Sequence, residues 1–435
     1  MSTGDVHRTV EAVWRMESAK IIGALARVLR DVGLAEELAQ EALLAALEQW
    51  PASGVPDNPG AWLTAAAKHR AIDTIRRREL HARKQDALTY EIENQLLDAA
   101  PDLDAAIERA FEQPIGDDLL RLMFIACHPV LAREARVALT LRLMGGLTTD
   151  EIARAFLVPE PTVAQRIVRA KRTLAEARVP FEVPAATELA ARLASVLEVI
   201  YLVFNEGYAA TSGELWTRPA LCEEALRLGR MLTQLAPDEP EVHGLVALME
   251  IQASRLRART TASGDPILLL DQDRSRWDRL LIRRGLAALE RAESLVQAQG
   301  AEGLGPYALQ AAIAACHARA TTADATDWER IAALYDALAQ RLPTPVVALN
   351  RAVAYAMAFG PAAGLDLVDT LRREPKLKGY HLLPSVRGDL LSRLGRLGEA
   401  GDEFRRAAAL TRNQREKSLL LRRADECVQR SAPPH

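Results

Sequence analysis

The chain has 435 residues, 49% hydrophobic and 26% charged, with 55 Lys+Arg against 58 Asp+Glu and a net charge of -3. That balance excludes wholesale disorder and a uniformly polycationic nucleic-acid coat, though not a local basic surface. Aromatics are only 5%, and the abundant Ala, Leu, Arg and Glu favour helix because they lose little rotamer freedom in one. Cys127, Cys222, Cys316 and Cys427 fall at no zinc or redox spacing. They read as buried structural thiols, so neither a metal nor a cofactor is expected. No apolar run approaches the ~18 residues of a membrane span, and no leader is visible. The expectation is a cytoplasmic protein with no membrane partner.

Charge is blocked along the chain. Residues 31–48 carry five acids and no Lys or Arg, whereas residues 68–84 carry seven bases against two acids. Residues 86–118 hold ten acids against Arg109 alone, and residues 154–178 return to six bases against two acids. Two basic helices joined by an acidic connector suit a bipartite polyanion binder.

In chain order, the apolar spacing from Val28 through Leu47 predicts one helix ending at Pro51. PASGVPDNPG (Pro51–Gly60) is a turn-rich loop, and a second helix follows from about Ala61 to Arg78. The acidic stretch to Gly116 reads as a linker. Helical patterning resumes from Asp117 to Arg178, closed by Pro180 and Pro184. Residues 185–435 read as helix after helix between short turns, with hairpins Val346–Phe359/Ala362–Leu371 and Leu382–Leu394/Leu397–Leu410. Their spacing is near the tetratricopeptide period, which predicts stacked helix pairs. Arg255–Asp273 is the least regular stretch. Gly207, after Asn205 and Glu206, reads as a helix C-cap.

The sharpest motif is LTTDEIARAFLVPEPTVAQRIVRAKRTL, Leu147–Leu174. Thr148 and Glu151 have capping-box spacing; a short helix breaks at Leu157–Pro159, and a second starts near Glu160. Val163, Ile167, Ala170 and Leu174 form its buried stripe, which turns Thr162, Gln165, Arg169 and Arg172 outward with Arg166 on the flank. That is a helix-turn-helix with a basic free face, although a solvated amphipathic hairpin has the same pattern. A second motif, NPGAWLTAAAKHRAIDTIRRR (Asn58–Arg78), sets Trp62 and a basic cluster after a Pro/Gly loop. Single-stranded DNA recognition requires such cations, aromatic surface and loop, but a core Trp and a solvated face also account for them.

With these motifs in order, the first 180 residues resemble the extracytoplasmic-function class of RNA polymerase sigma factors. AEELAQEALLAALEQWP (Ala35–Pro51) is similar to their acidic polymerase-docking helix, NPGAWLTAAAKHRAIDTIRRR to the helix that melts and reads the minus-ten element, and the helix-turn-helix to the reader of the minus-thirty-five element. YLVFNEGYAATSG (Tyr201–Gly213) and LAPDEPEVHGLVALM (Leu235–Met249) resemble the branch with a long tetratricopeptide-like extension. His69 stands where that class usually has Asn, and Ala164 and Gln165 replace its usual Lys and Ser.

The resemblance implies an all-α protein: a helical sigma domain 2 at 1–85, an acidic linker at 86–116, a sigma domain 4 at 117–180, and a regulatory domain of stacked helical hairpins at 185–435. It implies a non-enzyme whose partners are core RNA polymerase and promoter DNA, both duplex and melted strand, with a protein or peptide partner for the C-terminal domain. Polymerase contacts would come from Glu36, Glu37, Leu38, Glu41, Leu44 and Glu48. Minus-ten contacts would come from Asn58, Trp62, Lys68, His69, Arg70, Arg76 and Arg77, and minus-thirty-five contacts from Thr162, Gln165, Arg166, Arg169 and Arg172. The competing reading is a helix-turn-helix regulator that binds duplex operator DNA without acting as a polymerase subunit.

Overall fold

Helices dominate the chain, as the composition predicts. The computed structural model describes residues 3–86, 115–156, 158–210, 212–213 and 216–431, in two units, Met1–Val199 and Ile200–His435. Nearly all of the expected acidic linker, and Leu157 in the helix-turn-helix, lie outside the described residues.

Unit 1 opens with α1 (Thr3–Leu29), α2 (Val32–Ser53) and α3 (Pro59–Asp86). The run from Val28 to Leu47 is therefore two helices rather than one. Arg30 adopts φ 52° and ends α1, its N–H donating to Ala26 O at 2.8 Å. Asp31 then caps α2 by accepting from Leu34 N at 3.0 Å, a contact worth ~1 kcal/mol. Pro51 does not stop α2 either; it lies in the last turn, and Gly54 at φ 85° ends the helix. Ala35, Ala39, Ala42 and Ala46 form a strip of small buried residues on α2. Around it, Ile21, Leu25, Trp50 and Leu63 are sealed in the core.

The rest of unit 1 comprises α4 (Ile115–Ala126), α5 (Arg133–Leu143), α6 (Thr149–Phe156), α7 (Glu160–Glu176) and the first half of α8 (Ala186–Tyr208). α1 packs against α4 as well as α2 and α3. Asp118 of α4 lies 3.4 Å from Arg27 and 3.0 Å from Arg121. The prolines 180 and 184 do separate α7 from α8, but they do not end the unit. Arg192 donates to Phe124 O at 3.1 Å, Ser195 to Cys127 O at 2.5 Å, and Glu198 pairs with Arg133 and Arg136 at 3.3 and 3.2 Å. Residues 186–199 thus belong to the helix-turn-helix unit, and the division falls inside α8.

Unit 2 continues with α9 (Pro219–Leu235), α10 (Pro240–Ala253), α11 (Arg279–Ala298), α12 (Pro306–Arg319), α13 (Trp328–Arg341), α14 (Pro345–Phe359), α15 (Pro361–Leu371), α16 (Leu382–Arg393), α17 (Leu397–Leu410) and α18 (Gln414–Ser431). Most pack chiefly on their chain neighbours, whereas α12 packs more on α10, two helices back, than on α11; the two expected hairpins are α14/α15 and α16/α17. Three apolar clusters run through the unit, centred on Ile251 and Leu289, on Ile313 and Ile331, and on Val368 and Phe404. The last elements return to the first: β1 (Ser212–Gly213) pairs in parallel with β2 (Arg412–Asn413), and Asn413 donates to Ala210 O at 3.1 Å. Residues 255–273 are irregular as expected, holding short 3-10 turns and an isolated bridge from Thr260 to Pro266.

Gly207 is not a cap. It sits inside α8, where an added Cβ would lie 2.7 Å from Cys222 N and 2.9 Å from Cys222 Sγ. Glycine is required there by close helix approach, with no left-handed backbone involved. All four cysteines are buried and unbridged. Burial pushes the Cys127 and Cys222 thiols up to about 12.

Candidate nucleic-acid interface

The helix-turn-helix forms as its sequence dictates. Thr148 N donates to Glu151 Oε2 at 2.8 Å, and Glu151 N donates to Thr148 Oγ1 at 3.1 Å. That reciprocal pair satisfies two free donors at the start of α6. Val163, Ile167, Ala170 and Leu174 are the buried stripe of α7. Gln165, Arg169 and Arg172 are exposed, and Thr162 and Arg166 are half-buried. Arg172 is held by Glu176 at 2.6 Å, whereas Arg166 and Arg169 form no ion pair among the described residues. Two unpaired guanidinium groups thus project from the free face of α7, the chemistry that reads guanine edges or phosphates in a major groove.

On α3 the basic face is laid out differently. Asn58 caps the helix, its Oδ1 accepting from Ala61 N at 3.1 Å. Trp62 is half-buried and meets Trp50 edge-on, with centroids 5.4 Å apart. Part of the ring is therefore held by core packing, and part remains exposed. Lys68 is half-buried; His69, Arg76 and Arg77 are exposed. Arg70 donates to Ala66 O at 3.2 Å and lies 3.3 Å from Glu41 of α2, so it is partly neutralised.

The acidic helix α2 divides its expected docking residues between two faces. Glu37, Glu41, Leu44 and Glu48 are exposed, Leu44 at 57%. Leu38, at 3% exposure, belongs to the core, which corrects its placement on the docking surface. Glu36 is 2% exposed, again contrary to the expectation of a surface contact. Its carboxylate accepts from Arg142 Nε of α5 at 2.6 Å and is also held by Lys171 of α7 and by Gln40. A second tie joins Arg15 of α1 to Glu151 of α6 at 2.7 Å. No sequence signal marks Arg142 and Lys171 as partners of Glu36, because each lies more than a hundred residues away from it. Among the described residues no group of His, Cys, Asp or Glu could hold a metal, and no helix is long and apolar enough to cross a membrane.

Residues 14–80 match sigma-70 region 2, residues 121–174 match sigma-70 region 4, and residues 192–293 match a family of unknown function, DUF6596. The ECF RNA polymerase sigma factor SigK of Mycobacterium ulcerans is 31% identical over 36% of this chain and 78% of its own length. The SigK of Mycobacterium tuberculosis strain H37Rv gives the same figures. The chain belongs to the ECF sigma factor family. As such it binds core RNA polymerase and promoter DNA. An uncharacterized protein of Rhizobium meliloti is 44% identical over 93% of this chain and 92% of its own, so the sigma module and its long extension occur together in that relative too. No solved structure matches the chain.

Proposed function

We propose that this ECF sigma factor directs promoter-specific initiation through three surfaces. The exposed face Glu37, Glu41, Leu44 and Glu48 of α2 docks on polymerase; Trp62, Lys68, His69, Arg76 and Arg77 of α3 hold the melted minus-ten strand; Gln165, Arg166 and Arg169 of α7 read the minus-thirty-five duplex. The observation that carries this reading is the pair of unpaired arginines on α7, held over a buried stripe in the same unit as an exposed acidic face. The C-terminal unit acts as a regulatory partner of that module, and the packing of its helices on those one or two places away in the chain supports the tetratricopeptide-like reading.

Glu36 adds a conformational requirement. At ~1.5 Å per residue, Glu36 to Trp50 along α2 is about 21 Å and Lys171 to Gln165 along α7 about 9 Å. With side chains included, the minus-ten and minus-thirty-five faces of the free chain stand within roughly 50 Å of each other. The promoter elements are ~25 base pairs apart, about 85 Å at ~3.4 Å per pair. The Glu36 contact therefore opens when both elements are engaged. Glu36 is held there by ion pairs with Arg142 and Lys171, and beside Lys171 runs a cleft of about 730 Å³ lined also by Arg27, Arg30 and Arg178.

The test is run-off transcription with purified core polymerase on candidate promoters. Promoter-specific transcripts that depend on the added chain are expected. Tight binding to duplex DNA without polymerase, together with no association with core and no transcript, would establish the operator-binding regulator instead.

A further inference from the structure

Unit 2 holds a group of arginines that pair with no carboxylate among the described residues. Arg255, just after α10, is 6% exposed, and its Nε is sealed from solvent with no hydrogen-bond partner. Its Cζ lies 5.8 Å from the ring centroids of both Tyr208 and Trp277. Arg259 lies beside it, Cζ 3.7 Å from the Tyr208 centroid and 5.7 Å from that of Trp216, and its Nε is likewise sealed and unpartnered. Neither arginine forms an ion pair among the described residues. Arg274 stacks on Trp277 at 4.9 Å and spends its donors on neutral acceptors, His317 O, Ala320 O and Thr326 Oγ1.

Buried charges in proteins are paired, because desolvation leaves an isolated one strongly unfavourable. Ring faces offset only part of that penalty. Two further donors at the same place, Trp277 Nε1–H and the Tyr208 hydroxyl, are also buried and unpartnered. What the cluster lacks is an acceptor carrying negative charge. The surplus positive field is also felt by His317, which burial and then Arg255 and Arg274 hold down to about 3. A cleft of about 510 Å³, lined by Arg257, Ser275, Arg276, Trp277 and Asp278, opens beside the same tryptophan.

We propose that Arg255 and Arg259, framed by Tyr208, Trp216 and Trp277, bind a small oxyanion, the phosphate or carboxylate group of a small molecule. The depth of Arg255 favours one such group over a macromolecular surface. Guanidinium nitrogens, an indole N–H and a phenol O–H supply donors suited to oxygen lone pairs. The anion would tie the end of α8 to the irregular segment after α10, and so give the extension of unknown function a chemical input.

The experiment titrates the full chain with sodium phosphate and, separately, sodium succinate at constant ionic strength, read by calorimetry and thermal unfolding. Saturable binding of at least one anion, with a raised melting temperature, is expected. Phosphate alone would assign a phosphoryl ligand, succinate alone a carboxylate, and both the oxyanion class in general. Arg255→Met should abolish binding. Arg259→Lys, which keeps the charge but loses the planar fork, should weaken it about tenfold, the worth of one charge-assisted hydrogen bond. The exposed Arg283 serves as control, and Arg283→Met should bind as the parent does. Should Arg255→Met not fold, the Arg259→Lys and Arg283→Met pair decides. No saturable binding of either anion, or equal affinity in Arg259→Lys and the parent, would overturn the proposal.

Discussion

The Glu36 carboxylate lies 2.6 Å from Arg142 Nε, and this contact joins the acidic helix of sigma region 2 to the helix before the helix-turn-helix of region 4. Lys171 shares the carboxylate, and neither Glu36 oxygen faces solvent. Glu36→Gln keeps the size and one acceptor but removes the charge. It should lower the stability of the closed arrangement by roughly 1–3 kcal/mol and strengthen binding to core polymerase, measured by thermal unfolding and fluorescence anisotropy. Weaker binding by a folded variant would mean that Glu36 itself meets polymerase.

The two proposed DNA faces should separate by template. Arg166 forms no ion pair among the described residues, and a bidentate base contact is worth ~1–3 kcal/mol. Arg166→Ala should reduce initiation on ordinary promoters by about tenfold or more, yet spare a pre-melted template that carries only the downstream element. Arg77→Ala should weaken initiation on both templates. Equal losses from Arg166→Ala on the two templates would reverse the assignment of α7.

Much of the helix-turn-helix was legible beforehand. Thr148 and Glu151 mark the start of α6, Pro159 precedes α7, and the period of Val163, Ile167, Ala170 and Leu174 fixes the face that is buried, all from residues close in sequence. What failed was decided by distant residues or by unusual backbone. Arg30 in a left-handed conformation breaks a run whose apolar spacing continues across the break. The role of Gly207 depends on Cys222 of another helix. Glu36 looks like its exposed neighbours Glu37 and Glu41 until α5 and α7 fold over it.

Position 207 gives a sharp test of packing. Gly207→Ala places its Cβ against the Cys222 backbone, which cannot give way as a flexible side chain would. A loss of ~1–3 kcal/mol or more is expected, seen as a lowered denaturation midpoint. Gly398→Ala, with nothing within 4 Å of the added Cβ, should change stability little.

The division inside α8 bears on truncation. A chain ending at Pro184 loses Arg192, Ser195 and Glu198, whereas one ending at Val199 keeps them. The shorter chain should expose Cys127 to thiol reagents, and the longer one should leave it protected as in the full protein. If the extension is a required partner of the sigma module, both truncations transcribe poorly while circular dichroism still shows helix. Higher activity from the folded Val199 chain would make the extension an inhibitor.

His317 predicts a pH signature. Its folded pKa of about 3, set first by burial and then by Arg255 and Arg274, is below the ordinary 6.5. Below pH 6.5 the unfolded chain takes up a proton that the folded chain refuses until about pH 3. The contribution is therefore full above 6.5 and is lost as pH falls through that window, by up to a few kcal/mol. His317→Asn should flatten this slope in pH-dependent denaturation. An unchanged slope would show that the imidazole does not titrate as its surroundings dictate.

The burial of every cysteine has a practical side. With burial holding Cys127 and Cys222 up near 12 and all four cysteines enclosed, the folded chain keeps its thiols silent toward reagents in solvent. The same silence makes the native protein a clean background for site-directed dyes. A fluorophore pair placed through introduced cysteines at the exposed Gln49 and Ala177, outside the proposed binding faces, would report the separation of the two sigma regions as polymerase and promoter arrive.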